Sequence, residues 1–430
     1  MRYDKIDPQL FIDNREKLVK KLQANSIVIF NSNDEFPKNG DQFFTFRQNS
    51  DLFWISALDQ EKTIVVLFPD SPVKKYREMA FVIKTNEKIA RWEGHKFTKK
   101  EATNISAIKN IFWLDEFEMI LKEIMTYANN VYLNSIELPK FKTEVPYKDK
   151  RFAKWIKEEY PNHNYHRLAP QVYDLRTKKH SIEIELMKKA CEITDKAFRR
   201  VLKFVKPEVY EYEIQAEIEH EFLINKATGN AYQPIIAAGK NALCLHYTDN
   251  NDKCKNSDLI LFDFGAEYAN YSADMSRTIP VNGKFSPRQK ECYNAVLNVS
   301  KQSKNLMKVG ASIDEINSKV NKLMEKEMIK LELFSEEDVI KQDPQKPLYQ
   351  KYFMHGTSHF MGLDVHDVGH KHSKFEEGMV LSFEPGIYIT EENIAIRIEN
   401  DILITNKEAV NLMENIPVEV DEIEKLMASK

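Results

Sequence analysis

Along the first third of the chain, short apolar runs alternate with polar segments of helical period. SIVIFNS (26–32), DLFWISAL (51–58), TIVVLFP (63–69), MAFVIK (79–84) and NNVYLNS (129–135) are rich in β-branched and aromatic residues and bounded by turn formers. Runs of that length and composition predict strands. DNREKLVKKLQ (13–23) instead spaces its apolar positions for a helix. The alternation predicts a small α/β domain.

The pattern changes within PNHNYHRLAPQVYDLR (161–176), a polar, proline-bearing stretch followed by two long helical segments, 181–205 and 210–227. A domain boundary is expected there, giving residues 1–173 and 174–430. Strand-like segments come next: 258–264 with 273–280 and, past a helical stretch at 287–330, 379–390 with 394–404. No short repeat, low-complexity tract or long linker interrupts them. The second domain reads as two loosely similar halves, each with helices followed by a strand pair bearing acids.

Composition narrows the function classes. With 42% hydrophobic and 30% charged residues the chain reads as soluble and globular. A net charge of -4 gives no reason to expect nucleic acid or an anionic membrane surface as partner. The apolar runs are strand-sized, too short to span a bilayer. The first residues, MRYDKIDPQLFIDNREKL, show no signal-peptide core, so a cytoplasmic location is expected. Cys191, Cys244, Cys254 and Cys292 form no CxxC pair and read as reduced thiols rather than a zinc knuckle.

The chemistry is carried by acids in apolar strands. In DLILFDFGAEYANYSADMSRTIP, alternation puts Leu259, Leu261 and Asp263 on one face and Ile260, Phe262 and Phe264 on the other. A carboxylate inside such a strand needs a partner, since burying an unpaired charge costs several kcal/mol. Asp274 ends the following segment, near enough through a turn to meet Asp263. On this segment alone, metal ligation, a turn cap and a pair with Arg277 are all open readings. A second strand pair, MVLSFEPGIYITEENIAIRIENDILIT, repeats the anomaly: Glu384 aligns with Val380 and Ser382, while Glu399 sits between isoleucines on a face with Arg397 and Asp401. Between the two pairs lies HGTSHFMGLDVHDVGHKH (355–372), which holds five of the chain's 11 histidines. Carboxylates plus an imidazole suit divalent Mn, Co, Fe or Zn rather than a thiolate-seeking metal. Four carboxylates over-supply charge to one ion, so two ions sharing bridging carboxylates is the better balance. His370 and His372 read as solvated loop residues.

NALCLHYTDN, LFDFGAEYANYSADMSRTIPVNGKFSPRQ, HGTSHFMGLDVHDVG, MVLSFEPGIYI and IRIENDILIT together resemble the pita-bread metallopeptidases. Within them the match is best to the aminopeptidase P (Xaa-Pro aminopeptidase) group, with prolidase a near relative. The likeness spans the chain and is strongest over 180–430; FRQNSDLFWISAL and RWEGHKFT carry it more loosely in the first domain. It implies an α/β (α+β) protein: a small creatinase-type N-terminal domain for oligomer contacts and the substrate entrance, then a pita-bread catalytic domain. The family's five metal ligands fall on Asp263, Asp274, His359, Glu384 and Glu399, with Asp274 and Glu399 bridging. Two divalent ions are implied, Mn2+ by family expectation, with Co2+, Fe2+ or Zn2+ allowed by ligand chemistry. His246 and His366 fall on positions that hold the substrate and stabilise the tetrahedral intermediate, and His355, Tyr388 and Arg397 on the proline side of the pocket. Arg397, on one strand face with Glu399, is expected to form an orienting salt bridge with it.

The resemblance also implies a reaction. The N-terminal residue is released from a peptide with proline second, by attack of a metal-bridging hydroxide, with Glu384 as general base. The Xaa–Pro bond is a tertiary amide that lacks an N–H. HGTSH in place of HGxGH, RWEG at 91–94 and the overall length lean toward aminopeptidase P over the Xaa-Pro dipeptidase alternative. A non-catalytic binding protein on this scaffold is the rival from another class, and the complete ligand set argues against it. A homodimer or homotetramer is implied.

Overall fold

The computed structural model describes residues 3–429, which divide into two compact units, Tyr3–Arg176 and Thr177 onward. In the first unit six strands form one mixed sheet: β1 (Ser26–Asn31), β2 (Ile64–Leu67), β3 (Glu78–Val82), β4 (Asn110–Trp113), β5 (Asn130–Leu133) and β6 (Asn164–Arg167). Their spatial order is β4-β3-β2-β1-β5-β6. β2 runs antiparallel to β1 and β3, and the remaining pairs are parallel. Buried on both faces, β1, β2 and β5 read in sequence as continuous apolar runs. Ile27, Ile29, Val66, Phe81 and Val131 pack against the helices Phe117–Met125 and Lys148–Glu159. The first of these buries Phe117, Ile120, Leu121 and Ile124, the i, i+3, i+4, i+7 stripe of a core-facing helix.

One strand expectation fails in this unit. Residues 51–58 are not a strand: Ser50–Ser56 is a helix, capped by Asn49, whose side chain accepts N–H bonds from Asp51 (3.0 Å) and Leu52 (3.2 Å). Every residue from Asp51 to Ser56 is buried, so no polar face exists to reveal the helical period. The polar stretch 161–176 contains β6, a hydrophilic edge strand, and most of a helix, Ala169–Thr177. The first helix begins at Gln9 and ends at Val19, earlier than its apolar period suggests.

In the second unit β8 (Leu259–Phe264) lies between β7 (Ile235–Ala238) and β9 (Met275–Pro280), antiparallel to both. Phe262 and Phe264 turn toward α1 (Ser181–Phe204) and α2 (Glu211–Ile224), meeting Phe198 and Phe222 ring to ring. Leu261 faces the other way, into a cluster with Ile235, Tyr388 and Ala395. The helical stretch 287–330 is two helices, α3 (Pro287–Ser303) and α4 (Ile313–Lys330), separated by a turn in which Gly310 takes φ 85°. The second strand pair is also interrupted. β10 (Val380–Phe383) pairs with β13 (Asn400–Ile404), and β11 (Gly386–Ile389) pairs with β12 (Ile394–Arg397). Glu384 and Glu399 therefore stand at the break between two short ladders rather than inside one long one, where backbone can turn both carboxylates to the same side.

Candidate metal centre

β8 and the segment entering β9 deliver the first two acids. Register places Asp263 opposite Ser276, with Asp274 just before the strand. Gly265 makes this possible: a Cβ there would stand 1.7 Å from the Ala273 carbonyl oxygen, so the crossing between the acids admits only glycine. The break in the other ladder delivers Glu384 and Glu399. The Glu384 N–H donates to the Thr357 carbonyl (2.9 Å), and the Glu399 N–H donates to the Ser276 carbonyl (3.1 Å). The second bond ties the two halves of the site together.

His359 meets this cluster with Nε2 3.3 Å from Asp274 and 3.9 Å from both Glu384 and Glu399. Its Nδ1 lies 3.2 Å from the Phe360 carbonyl. A carbonyl only accepts, so Nδ1 donates there and Nε2 is the nitrogen that faces the acids, the one placed to bind a metal. The His359 backbone N–H donates to Ser382 Oγ (3.1 Å), which anchors the ring's base. Asp274, His359 and Glu399 each offer a ligand atom within 4.8 Å of the others.

The electrostatics suit a cation. Asp274 and Glu399 are buried, and burial first, then the neighbouring carboxylates, holds both well above the usual carboxylate range. Burial and then Glu399 push Glu384 up to about 8. Three acids held above the usual carboxylate range around one imidazole form a donor set suited to divalent ions.

Arg397 does not form the expected salt bridge with Glu399. Its Nη2 donates to Asp263 Oδ2 (2.6 Å), its Nη1 to the Tyr388 hydroxyl (2.9 Å) and its Nε to Ser276 Oγ (2.8 Å). Ser276 in turn donates to Glu399 (2.7 Å), so arginine reaches that acid through a serine. Sharing a strand face was not enough, because β12 ends between the two residues. Tyr388 is buried and sits 2.9 Å from His355 Nε2, whose Nδ1 faces the Gly356 carbonyl at 2.7 Å. Burial, then Arg397, pushes His355 down to about 4, so this chain of hydrogen bonds ends on a neutral imidazole. Arg277 pairs with neither aspartate. Fully buried, it donates to the carbonyls of Pro417, Ser276 and Glu399 and to Asn400.

His366 stands edge-on to His359, ring centroids 4.5 Å apart. His246 is exposed and lies close enough to add to the depression of His355. His370 and His372 are exposed, the latter paired with Asp314. Two residues escaped sequence reasoning. The Tyr232 hydroxyl touches both Asp263 (2.6 Å) and Asp274, and no pattern in AYQP marks it. Buried Asp401 accepts the Asp274 N–H (3.2 Å) and the Cys191 thiol (3.3 Å); its place on the strand face with Arg397 and Glu399 was the available signal.

Residues 185–406, just over half of the chain and all five candidate ligands among them, match metallopeptidase family M24. The chain belongs to that family. Residues 11–132 match the aminopeptidase P N-terminal domain. The chain is 30% identical to the Xaa-Pro aminopeptidase of Escherichia coli K12, covering 99% of this chain and 98% of the relative. It is likewise 30% identical to the Haemophilus influenzae Xaa-Pro aminopeptidase, with 98% of each covered. Among solved structures, E. coli aminopeptidase P with the inhibitor Pro-Leu superposes with TM-score 0.88 at 30% identity, and Pseudomonas aeruginosa aminopeptidase PepP with 0.89 at 28%; each comparison covers 99% of both chains.

Proposed function

We propose that this M24 chain is an Xaa-Pro aminopeptidase that holds two divalent ions on Asp263, Asp274, His359, Glu384 and Glu399, with Asp274 and Glu399 shared between them. The observation that carries the reading is His359 Nε2 aimed into buried carboxylates that burial and mutual repulsion hold above their usual range. Ions held there lower the pKa of a water to near neutral and polarise a scissile carbonyl. The protein's own groups do the rest. Glu384, buried and pushed up to about 8, would take a proton from the attacking water and deliver it to the proline nitrogen, a task for which a pKa close to the working pH is best. His366 and His246 donate hydrogen bonds to the carbonyl oxygen as it gains charge. Arg397, Tyr388 and His355, linked end to end, form the proline side of the pocket and hold Asp263 in place.

We extend the reading to Mn2+ as the resident metal, the cytoplasm as the site of action, and a homodimer or homotetramer as the working form. Exposed Phe36, Phe43, Phe44 and Trp92 on the first unit support the last point, being large apolar side chains suited to a contact between copies. The test is Mn-supplemented hydrolysis of an Xaa-Pro-Xaa tripeptide beside the matching Xaa-Pro dipeptide, with a chelated control. Tripeptide cleavage abolished by chelation supports the aminopeptidase. Cleavage of the dipeptide alone makes the chain a prolidase, and silence toward both with metal bound refutes the peptidase reading.

A further inference from the structure

Residues 361–370, which carry His366, form neither helix nor strand. Their course is set by a few contacts. The Asp367 N–H donates to the Phe360 carbonyl (2.9 Å), the Gly362 N–H to the Asp364 carbonyl (3.2 Å), and the Ser272 N–H to the Gly362 carbonyl (2.9 Å). Beneath them lies an ion pair that the proposed chemistry does not use. Lys179 Nζ stands 3.2 Å from Asp367 Oδ2, and each side chain is only 1% exposed.

Lys179 lies just before α1, with its own N–H bonded to the Gly378 carbonyl (2.8 Å). One turn on, buried Glu183 accepts the His180 N–H and the Tyr271 hydroxyl, each at 2.9 Å. Tyr271 belongs to the small hairpin, Ala266–Tyr268 with Tyr271–Ser272, that lies between Asp263 and Asp274 in the chain. The start of α1 therefore grips both the segment bearing His366 and the hairpin that joins the two aspartates. The fit is close: a Cβ on Gly362 would meet Asp367 Oδ2 at 2.2 Å and Lys179 Cε at 2.9 Å.

A fully buried ion pair roughly breaks even against apolar residues of the same volume, so stability is a poor explanation for this one. What it supplies is direction. Lys179 fixes the side chain of Asp367, and with it the peptide that joins Asp367 to His366. His366 stands edge-on to His359 from a segment that is neither helix nor strand, so its place depends on how that segment is held.

We infer that Lys179 and Asp367 are positioning residues that hold His366 against His359; the inference rests on His366 acting on substrate as proposed above. The test uses the full-length, Mn-loaded protein as Lys179→Met, Asp367→Asn and Gly362→Ala, with Lys178→Met, which loses only an exposed pair with Glu376, as control. Parent activity on the tripeptide is measured first, since its absence would indict the function and not the anchor. The expected result is a fall in kcat of about ten- to hundred-fold for Lys179→Met, the scale of misplacing a transition-state donor by an ångström. KM stays within about two-fold, metal content is unchanged, and the His366 Cε1–H resonance, read in the protein loaded with diamagnetic Zn2+, shifts, while Lys178→Met matches the parent. If Lys179→Met does not fold, Asp367→Asn keeps the shape and is expected to show a smaller loss with the same displaced resonance. A folded variant with parental kcat and an unmoved His366 resonance overturns the inference. So does a loss that follows metal content and is restored by excess metal, because the pair would then be supporting the ligands and not His366.

Discussion

The Tyr232 hydroxyl has one proton and faces two carboxylates, Asp263 at 2.6 Å and Asp274. It can donate to only one of them. Burial, then Asp263, pushes Asp274 well up, while the hydrogen bond from Tyr232 works against that rise. Tyr232→Phe removes both bonds with almost no change of volume. A hydrogen bond to a charged group contributes about 1.5–3 kcal/mol, and the partners left behind are buried, so the chelated protein should lose about 2–3 kcal/mol. At about 2–4 °C per kcal/mol for a unit of this size, that is a fall in Tm of about 5–10 °C by calorimetry. In the loaded protein the hydroxyl orients two ligand acids, and loss of such a partner costs about 10–100-fold in metal affinity. Competition with a chromogenic chelator reads that directly. A Tyr232→Phe protein that melts with the parent when chelated, and binds metal as tightly, would refute the coupling.

Three further outcomes follow from other parts of the molecule. Gly265→Ala sets a Cβ against the Ala273 carbonyl, forcing apart the backbone between Asp263 and Asp274; we expect a loss of at least about 3 kcal/mol in urea unfolding and no measurable metal uptake, and a variant that loads normally contradicts the stated role of the glycine. Chelation should make stability fall with pH: Glu384, pushed up to about 8 from 4.5, holds a proton in the folded but not the unfolded chain, so its contribution is complete below about pH 4.5 and lost by about pH 8, up to about 5 kcal/mol. Metal at a hundred times its Kd should return about 2.7 kcal/mol at pH 8, and a flat calorimetric profile for the chelated protein would count against this. In the first unit Asp149, buried and bonded to Asn31 (2.9 Å), is pushed up to about 7 by burial and then by Asp51; Asp149→Asn should match the parent near pH 4 and exceed it by up to about 4 kcal/mol above pH 7, with equal denaturation midpoints at both pH values as the contrary result.

What the sequence discloses and what it hides have physical causes. Asp263, Asp274, Glu384 and Glu399 were legible because an acid among β-branched and aromatic residues is expensive unless something pays for its burial. β1, β2, β3 and β5 were legible for the complementary reason, being short apolar runs between turn formers. Ser50–Ser56 was not, since burial on all sides erases periodicity, and β6 was not, since a hydrophilic edge strand has no apolar face to display. The partner of Arg397 depended on where β12 stops, a boundary that alternation does not mark. Tyr232, Lys179 and Asp367 act through contacts between segments far apart in the chain: 31 residues separate Tyr232 from Asp263, and 188 separate Lys179 from Asp367. No local pattern can hold that information.

The account turns on whether these five side chains form a two-ion site. The direct measurement is the metal content of the full-length protein after Mn2+ loading and removal of free ion, by plasma mass spectrometry, beside Glu399→Ala. The account predicts two ions per chain in the parent and loss of at least one in the variant. A parent that retains none, or a variant that retains as many as the parent, would contradict it.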